Sequence, residues 1–307
     1  MEIKAPGRPR WAARIVAATA IAMAATLQAA PALSAPTPAT RTTPLAAAAA
    51  PARADKMDRA VYFVHGYQRS GGVDCKMWNK TKDHFKNKKW TGNLITWGFY
   101  KADKNCTVEY GGDKDTDLKN VSKSLAWNIY NNYTRKGKTV DVVAFSMGGL
   151  VIRNAIARVK RGHAGFPSSL YVEDVVTLGT PHRGSDAAYL CGTNQCKQLR
   201  PTSAHLKWLN GLPNSNFQAT GGTNWTVMSS YADDAVTVYQ ATAFHAQHKI
   251  TYPSSEKVEH DDYYKTGTGS AWTCSHSPNY GRQYKSYKNC PGPINSAFLA
   301  AYRHSSR

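Results

Sequence analysis

Residues 139–159 place the tightest constraint on what this chain can fold into. Residues 139–145 (TVDVVAF) form a short, β-branched, apolar run with the character of a buried strand. Residues 148–159 (GGLVIRNAIARV) carry Leu150, Ile152, Ile156 and Val159 at helical spacing. Only Ser146 and Met147 stand between the two runs. A buried strand that turns this abruptly into a helix belongs to a sheet with helices packed on its faces. The rest of the chain has the same rhythm. Residues 60–64 (AVYFV), 93–100 (NLITWGFY), 170–178 (LYVEDVVTL), 225–229 (WTVMS) and 248–252 (HKITY) read as strands. Residues 116–133 hold Leu118, Val121, Leu125, Ile129 and Tyr133 three or four apart, an amphipathic helix that Gly137 ends. Residues 295–302 read as a closing helix. Strands that alternate with helices predict a mostly parallel α/β sheet with helices on both faces.

The 307 residues are 42% apolar, enough for a real core, and carry a net charge of +19. Residues 1–29 read as a secretory signal. Lys4, Arg8, Arg10 and Arg14 make a basic start, and residues 15–30 are almost all Ala, Ile, Val, Met and Leu. Residues 30–57, rich in Ala, Pro and Thr, read as a leader or linker, so the folded domain is expected over residues 58–307. Cleavage is placed after Ala29 or at the A-x-A site Ala52-Arg53-Ala54. Removing residues 1–29 takes away four basic residues and one acidic one and leaves +16, so the basic character belongs to the exported protein. Export favours disulfides among Cys75, Cys106, Cys191, Cys196, Cys274 and Cys290. Sequence neighbours suggest 75–106, 191–196 and 274–290. The usual C-x₂-C pairs of a metal site are absent.

The turn at Ser146 has its own chemistry. In Ala144-Phe145-Ser146-Met147-Gly148, small residues stand two before and two after the serine, as a tight strand-to-helix turn demands. Such a turn lifts the hydroxyl above the sheet edge at a helix N-terminus, where free N–H groups favour negative charge. With DVVAFSMGGLVIR, the VHGY after the first strand and LGTPHRGS after Leu178, the chain resembles secreted bacterial lipases of the α/β-hydrolase fold over residues 60–264.

The resemblance implies a Ser-acid-His order along the chain and names candidates. Ser146 is the nucleophile. Met147 and Tyr67 offer the oxyanion-hole N–H groups, which leaves His65 a structural residue. The acid follows the strand that ends near Ser229. There Asp233 and Asp234 compete, and the D-x-x-V pattern of such lipases, with Val236, selects Asp233. His245, His248, His260, His276 and His304 all come later, and the setting VEHDDY selects His260. The implied reaction is hydrolysis of lipid esters through an acyl-enzyme, without metal or organic cofactor. A polyester depolymerase, a non-lipid carboxylesterase and a non-catalytic binding module are the alternatives.

Residues 184–222 interrupt the alternation and read as a cap-like insertion pinned by Cys191–Cys196. Its short apolar piece, Leu206, Trp208, Leu209 and Leu212, is expected to line an acyl pocket, with Trp208 and Leu209 touching substrate. Between Cys75 and Lys104 eight Lys interleave with Trp78, Phe85, Trp90, Trp97, Phe99 and Tyr100. This reads as a solvated Lys face over core aromatics, suited to an anionic lipid surface rather than to nucleic acid. The expected protein is a secreted, extracellular monomer.

Overall fold

The computed structural model describes residues 52–281 and 283–304. The expected signal and residues 30–51 of the leader lie outside the described residues. The strands are β1 (Ala60–Val64), β2 (Leu94–Tyr100), β3 (Val108–Gly112), β4 (Val140–Phe145), β5 (Val172–Leu178), β6 (Asn224–Ser230), β7 (His248–Tyr252), β8 (Trp272–Ser277) and β9 (Lys285–Cys290). They form one sheet in the order β3-β2-β1-β4-β5-β6-β7-β8-β9. All neighbours from β3 to β7 pair in parallel, and β8 and β9 close the sheet antiparallel. The helices are α1 (Asn79–Asn87), α2 (Leu118–Asn132), α3 (Met147–Lys160), α4 (Asn194–Leu199), α5 (Ala204–Asn210), α6 (Val238–Thr242) and α7 (Pro293–Arg303). This is the α/β-hydrolase architecture.

The central strands are apolar on both faces because both faces are covered. In β1 and β4, Tyr62, Val64, Val142 and Ala144 meet Leu118, Val121 and Leu125 of α2 and Leu150 of α3. Val61, Phe63, Val143 and Phe145 point the other way, into a core shared with Phe85 of α1 and Phe298 of α7. Each such side chain contributes about 1.5–3 kcal/mol when removed from water. The six aromatics interleaved with lysines are all buried here, so they are core residues and no stacking surface.

Three disulfides, Cys75–Cys106, Cys191–Cys196 and Cys274–Cys290, pair the cysteines by sequence neighbour. The first ties the loop after β1 to the loop after β2, where Cys75 N–H also donates to Lys104 O at 2.8 Å. The domain begins earlier than residue 58. Met57 O accepts from Thr91 N at 2.7 Å, and Ala54 N donates to Glu173 at 3.1 Å. Residues read above as the end of the leader are therefore packed against the domain.

Candidate active site

Parallel strands bring their C-terminal ends to one edge of the sheet, and chemistry in open α/β folds collects there. Ser146 sits between β4 and α3 with φ 52° and ψ −127°, a conformation a non-glycine residue holds only when its surroundings impose it. The surroundings are close. A Cβ on Gly66 would lie 2.6 Å from Ser146 Cβ, and one on Gly148 would lie 2.5 Å from His65 O. The small residues around the serine are steric necessities of the turn. Thr180 Oγ1 donates to Ser146 O at 2.8 Å and steadies it from the β5 side.

Two loops deliver the other groups. The loop after β6 carries Asp233, and a 3-10 turn after β7, His260–Asp262, carries His260. His260 Nε2 is 2.9 Å from Ser146 Oγ, and His260 Nδ1 is 3.0 Å from both Asp233 oxygens. The Asp233 side chain is out of reach of water, while His260 keeps 16% of its surface. Asp233 also accepts from the N–H groups of Ala235 and Val236, at 3.0 and 2.8 Å, and from Tyr263 Oη at 3.1 Å. Burial, and then the charge of Asp233, pushes the Tyr263 phenol far up, so it remains a donor. With Asp233 accepting from Nδ1–H, Nε2 turns its lone pair to the Ser146 hydroxyl. Asp234, one residue on, is exposed.

Beneath the imidazole lies Gly179, at φ +54°. A Cβ there would come 2.8 Å from Tyr263 Cε2 and 2.9 Å from Asp233 Oδ2. The glycine of LGTP thus gives the acid and base room to meet, a role sequence reasoning did not assign.

The loop after β1 lies against the other side of Ser146. Met147 is the first residue of α3, so its N–H has no helical acceptor. Gly66 lies against Ser146, and the Gly66–Tyr67 peptide follows directly. His65 is fully buried; Nδ1 lies 2.8 Å from Gly66 O and Nε2 lies 2.9 Å from Asp103 Oδ2. Gly66 O only accepts, so the Nδ1–H donates to it, and the Phe99 N–H lies 3.4 Å from Nε2. Burial alone would raise the Asp103 carboxyl; the bond from His65, with amide donors from Tyr100 and Val73, holds it below its ordinary value instead. The ring stacks on Phe99 with centroids 3.9 Å apart.

Residues 61–265 match the family described as palmitoyl protein thioesterase. The chain belongs to that family. The matched span covers more than half of the chain, runs from β1 through the His260 turn and takes in all the residues above; β8, β9 and α7 lie beyond it. No curated protein matches the chain. Among solved structures it is similar to a Bacillus licheniformis lipase in mature form, at 19% identity, TM-score 0.44, over 64% of this chain and 84% of that one. A Listeria innocua gene product is similar at 14% identity, TM-score 0.42, over 68% and 89%. A Pyrococcus furiosus esterase is similar at 17% identity, TM-score 0.41, over 68% and 75%. The family is one of lipase- and esterase-like hydrolases.

For this family member the insertion needs a correction. Trp208 does not stand over Ser146. Its ring lies under the Arg158 guanidinium, 4.2 Å away, and beside His163. Arg158 is near the far end of α3, about 18 Å along the helix from Ser146. Leu209 is fully buried in the α2–α3 core, and its carbonyl accepts from Arg153 Nη2 at 3.4 Å. The apolar piece found a protein partner, so Trp208 and Leu209 do not line an acyl site. The insertion reaches the loops around the candidate site at Ser185, whose Oγ donates to Ala235 O at 2.7 Å, and over residues 190–193. Thr193 Oγ1 is 3.3 Å from Tyr67 Oη, and Leu190 O accepts from Arg69 at 3.4 Å. The other late histidines are elsewhere. His248 Nε2 donates to His304 O, His276 stacks on His248, and His245 stacks on Tyr280. Among the described residues, the acidic and imidazole groups close enough to share an ion are Glu173, Asp174 and His304. They lie at the opposite edge of the sheet, beside Arg59.

Proposed function

We propose that this chain is a secreted serine hydrolase of long-chain acyl esters or thioesters, acting through Ser146, His260 and Asp233. The observation that carries the reading is the continuous path Ser146 Oγ–His260–Asp233, with links of 2.9 and 3.0 Å. In the proposed mechanism His260 takes the serine proton as Oγ attacks the acyl carbonyl. Asp233 holds the imidazole in register and stabilises its cation, and Tyr263 and two amides hold Asp233. The Met147 and Tyr67 N–H groups receive the oxyanion. His260 then returns the proton to the departing alcohol or thiol, and water, activated by the same base, releases the acid. The family points to acyl thioesters as well as esters. The leader and the three disulfides support export.

The test is a rate series on p-nitrophenyl esters from C2 to C16 together with an S-palmitoyl thioester, alongside fluorophosphonate labelling. Labelling of Ser146 and rates that rise with chain length are expected. Ser146→Ala should lose several orders of magnitude. Asp233→Asn should lose about four, and Asp234→Asn less than a few-fold. An unlabelled Ser146, or equal losses at Asp233 and Asp234, overturns the reading.

A further inference from the structure

At the sheet edge opposite Ser146 three carboxylates are buried together. Asp141 is the second residue of β4, and Glu173 and Asp174 are the second and third of β5, with side chains 1%, 3% and 1% exposed. Two basic side chains lie among them. Arg59 Nε donates to Asp141 at 2.8 Å, and its Nη1 and Nη2 lie 3.7 and 3.6 Å from Glu173 and Asp174. His304 Nδ1 is 2.7 Å from Asp174, a contact that raises its pKa, and its Nε2 is 3.3 Å from Glu173. Three buried carboxylates therefore share one buried guanidinium and one half-buried imidazole. Burial pushes Asp141 and Asp174 upward, as expected where compensation falls short. A third basic side chain, Arg53, reaches Glu173 only at 4.0 Å, with its side chain 36% exposed.

One more nitrogen is in place. Ala54 N lies 3.1 Å from Glu173 Oε1, and Ala54 O accepts from Arg59 Nη1 at 2.7 Å. Within the chain this nitrogen is a neutral amide. We propose that the Arg53–Ala54 bond is a processing site, and that the α-ammonium it frees at Ala54 is the missing cation of this buried cluster. An endoprotease of basic specificity hydrolyses the bond. Water gives its hydroxyl to the Arg53 carbonyl and a proton to the Ala54 nitrogen, which takes a second proton from solvent at neutral pH.

Three observations select this bond. Residues 52–56 have no helix or strand, and Arg53 is exposed on them. The next arginine, Arg59, is 5% exposed and closed to a protease. The A-x-A site one residue later would remove Ala54, and with it both the N–H on Glu173 and the carbonyl that holds Arg59. Cleavage before Ala54 keeps both and turns the first into a charge-assisted bond. Arg59 Nη2 also donates to Ala301 O at 2.6 Å, so the new terminus would be locked to the end of α7. The inference does not depend on the role of Ser146.

The experiment has two arms. N-terminal sequencing and intact mass of the exported protein should give Ala54 as the first residue. Digestion of the purified full chain with an arginine-specific endoprotease should give the same terminus and raise Tm by about 2–4 °C. Glu173→Gln should abolish that rise. If this variant does not fold, the pH dependence of the rise decides. An ammonium held by Glu173 has its pKa raised above roughly 8, so the rise is complete below that pH and fades above it. Of the groups facing it, Glu173, Asp174, Asp55, Arg59 and His304 are common to both forms, and Arg53, which departs with the leader, carries its charge throughout this pH range and adds no slope. A terminus at Asp55 or elsewhere, an unchanged Tm, a rise that survives Glu173→Gln, or a rise unaffected by pH overturns the proposal.

Discussion

The double substitution His65→Phe with Asp103→Asn should slow turnover about five- to a hundred-and-fifty-fold while KM stays within a few-fold. The reasoning is that a peptide unit is planar, so the Gly66 carbonyl and the Tyr67 N–H point in opposite directions. His65 Nδ1 donates to Gly66 O at 2.8 Å and thereby aims the Tyr67 N–H, the proposed oxyanion donor. Leaving the buried Gly66 carbonyl without its donor costs about 1–3 kcal/mol, or roughly five- to a hundred-and-fifty-fold in rate. Loss of one oxyanion donor sets a ceiling of about 10²–10³ in kcat. A phenyl ring in place of the imidazole keeps the stack on Phe99 but cannot donate, and the amide in place of the Asp103 carboxylate avoids leaving a lone buried charge. The assay is hydrolysis of a short p-nitrophenyl ester, with rates normalised to the sites a fluorophosphonate titrates. A kcat within threefold of wild type, with only Tm lowered, would refute the argument and leave His65 a packing residue.

Gly179→Ala should cost about 1–3 kcal/mol from positive φ and about tenfold or more in kcat, because the added methyl lies 2.9 Å from Asp233 Oδ2; thermal melts and initial rates check both. Double Cys→Ser replacements should rank by loop length: about 3.5–4 kcal/mol for Cys75–Cys106, about 3 for Cys274–Cys290 and about 2 for Cys191–Cys196. Equal losses in denaturant titrations would contradict the chain-entropy account. Burial, and then the charge of Arg158, lowers His205 to about 4. The unfolded chain binds that proton near pH 6.5 and the native state does not, so stability should fall by up to about 3 kcal/mol as pH drops from 6.5 to 4. His205→Phe should flatten this window, and an unchanged slope would show that the ring titrates freely in the folded protein.

The central strands and the helices α2, α3 and α7 were legible because burial on both sheet faces forces an apolar run and helices over a sheet need an apolar stripe. The elements that escaped lack that pressure. β3 is an edge strand, VEYGG, with three of its five residues exposed. β8 and β9, WTCSHS and KSYKNC, are mostly polar and show no continuous apolar run. α1 reads NKTKDHFKN and buries only Thr81, His84 and Phe85, a stripe too thin to register among lysines. The proposed triad was readable from chain order, since the acid and base ride on loops that successive parallel strands must deliver to one edge. Their supports, Tyr263 and Gly179, stood inside the motifs VEHDDY and LGTPHRGS. A motif names its polar members; it does not say which small residue makes room for them.

The insertion went astray for a reason found on α3 rather than in the insertion. Leu206, Trp208 and Leu209 needed a partner, and an acyl chain and the protein itself were both candidates. Arg153 decides between them. It lies on a helix otherwise buried by apolar residues, is 3% exposed, and has no carboxylate within ion-pair distance among the described residues. Burial, together with the charge of Arg183, brings it down to about 9, so it remains a cation at neutral pH. A buried cation must find acceptors, and α5 provides them at its C-terminal end, where helix carbonyls are unpaired and the dipole is negative. Arg153 donates to Asn210 Oδ1 at 2.9 Å and to Leu209 O, while Phe217 and Phe244 cover its faces at 4.3 and 4.5 Å. Docking the end of α5 there carries Trp208 onto Arg158 and turns the apolar piece away from Ser146. What the insertion turns toward the loop after β1 is residues 190–193, with Leu190 78% exposed and Thr193 on Tyr67.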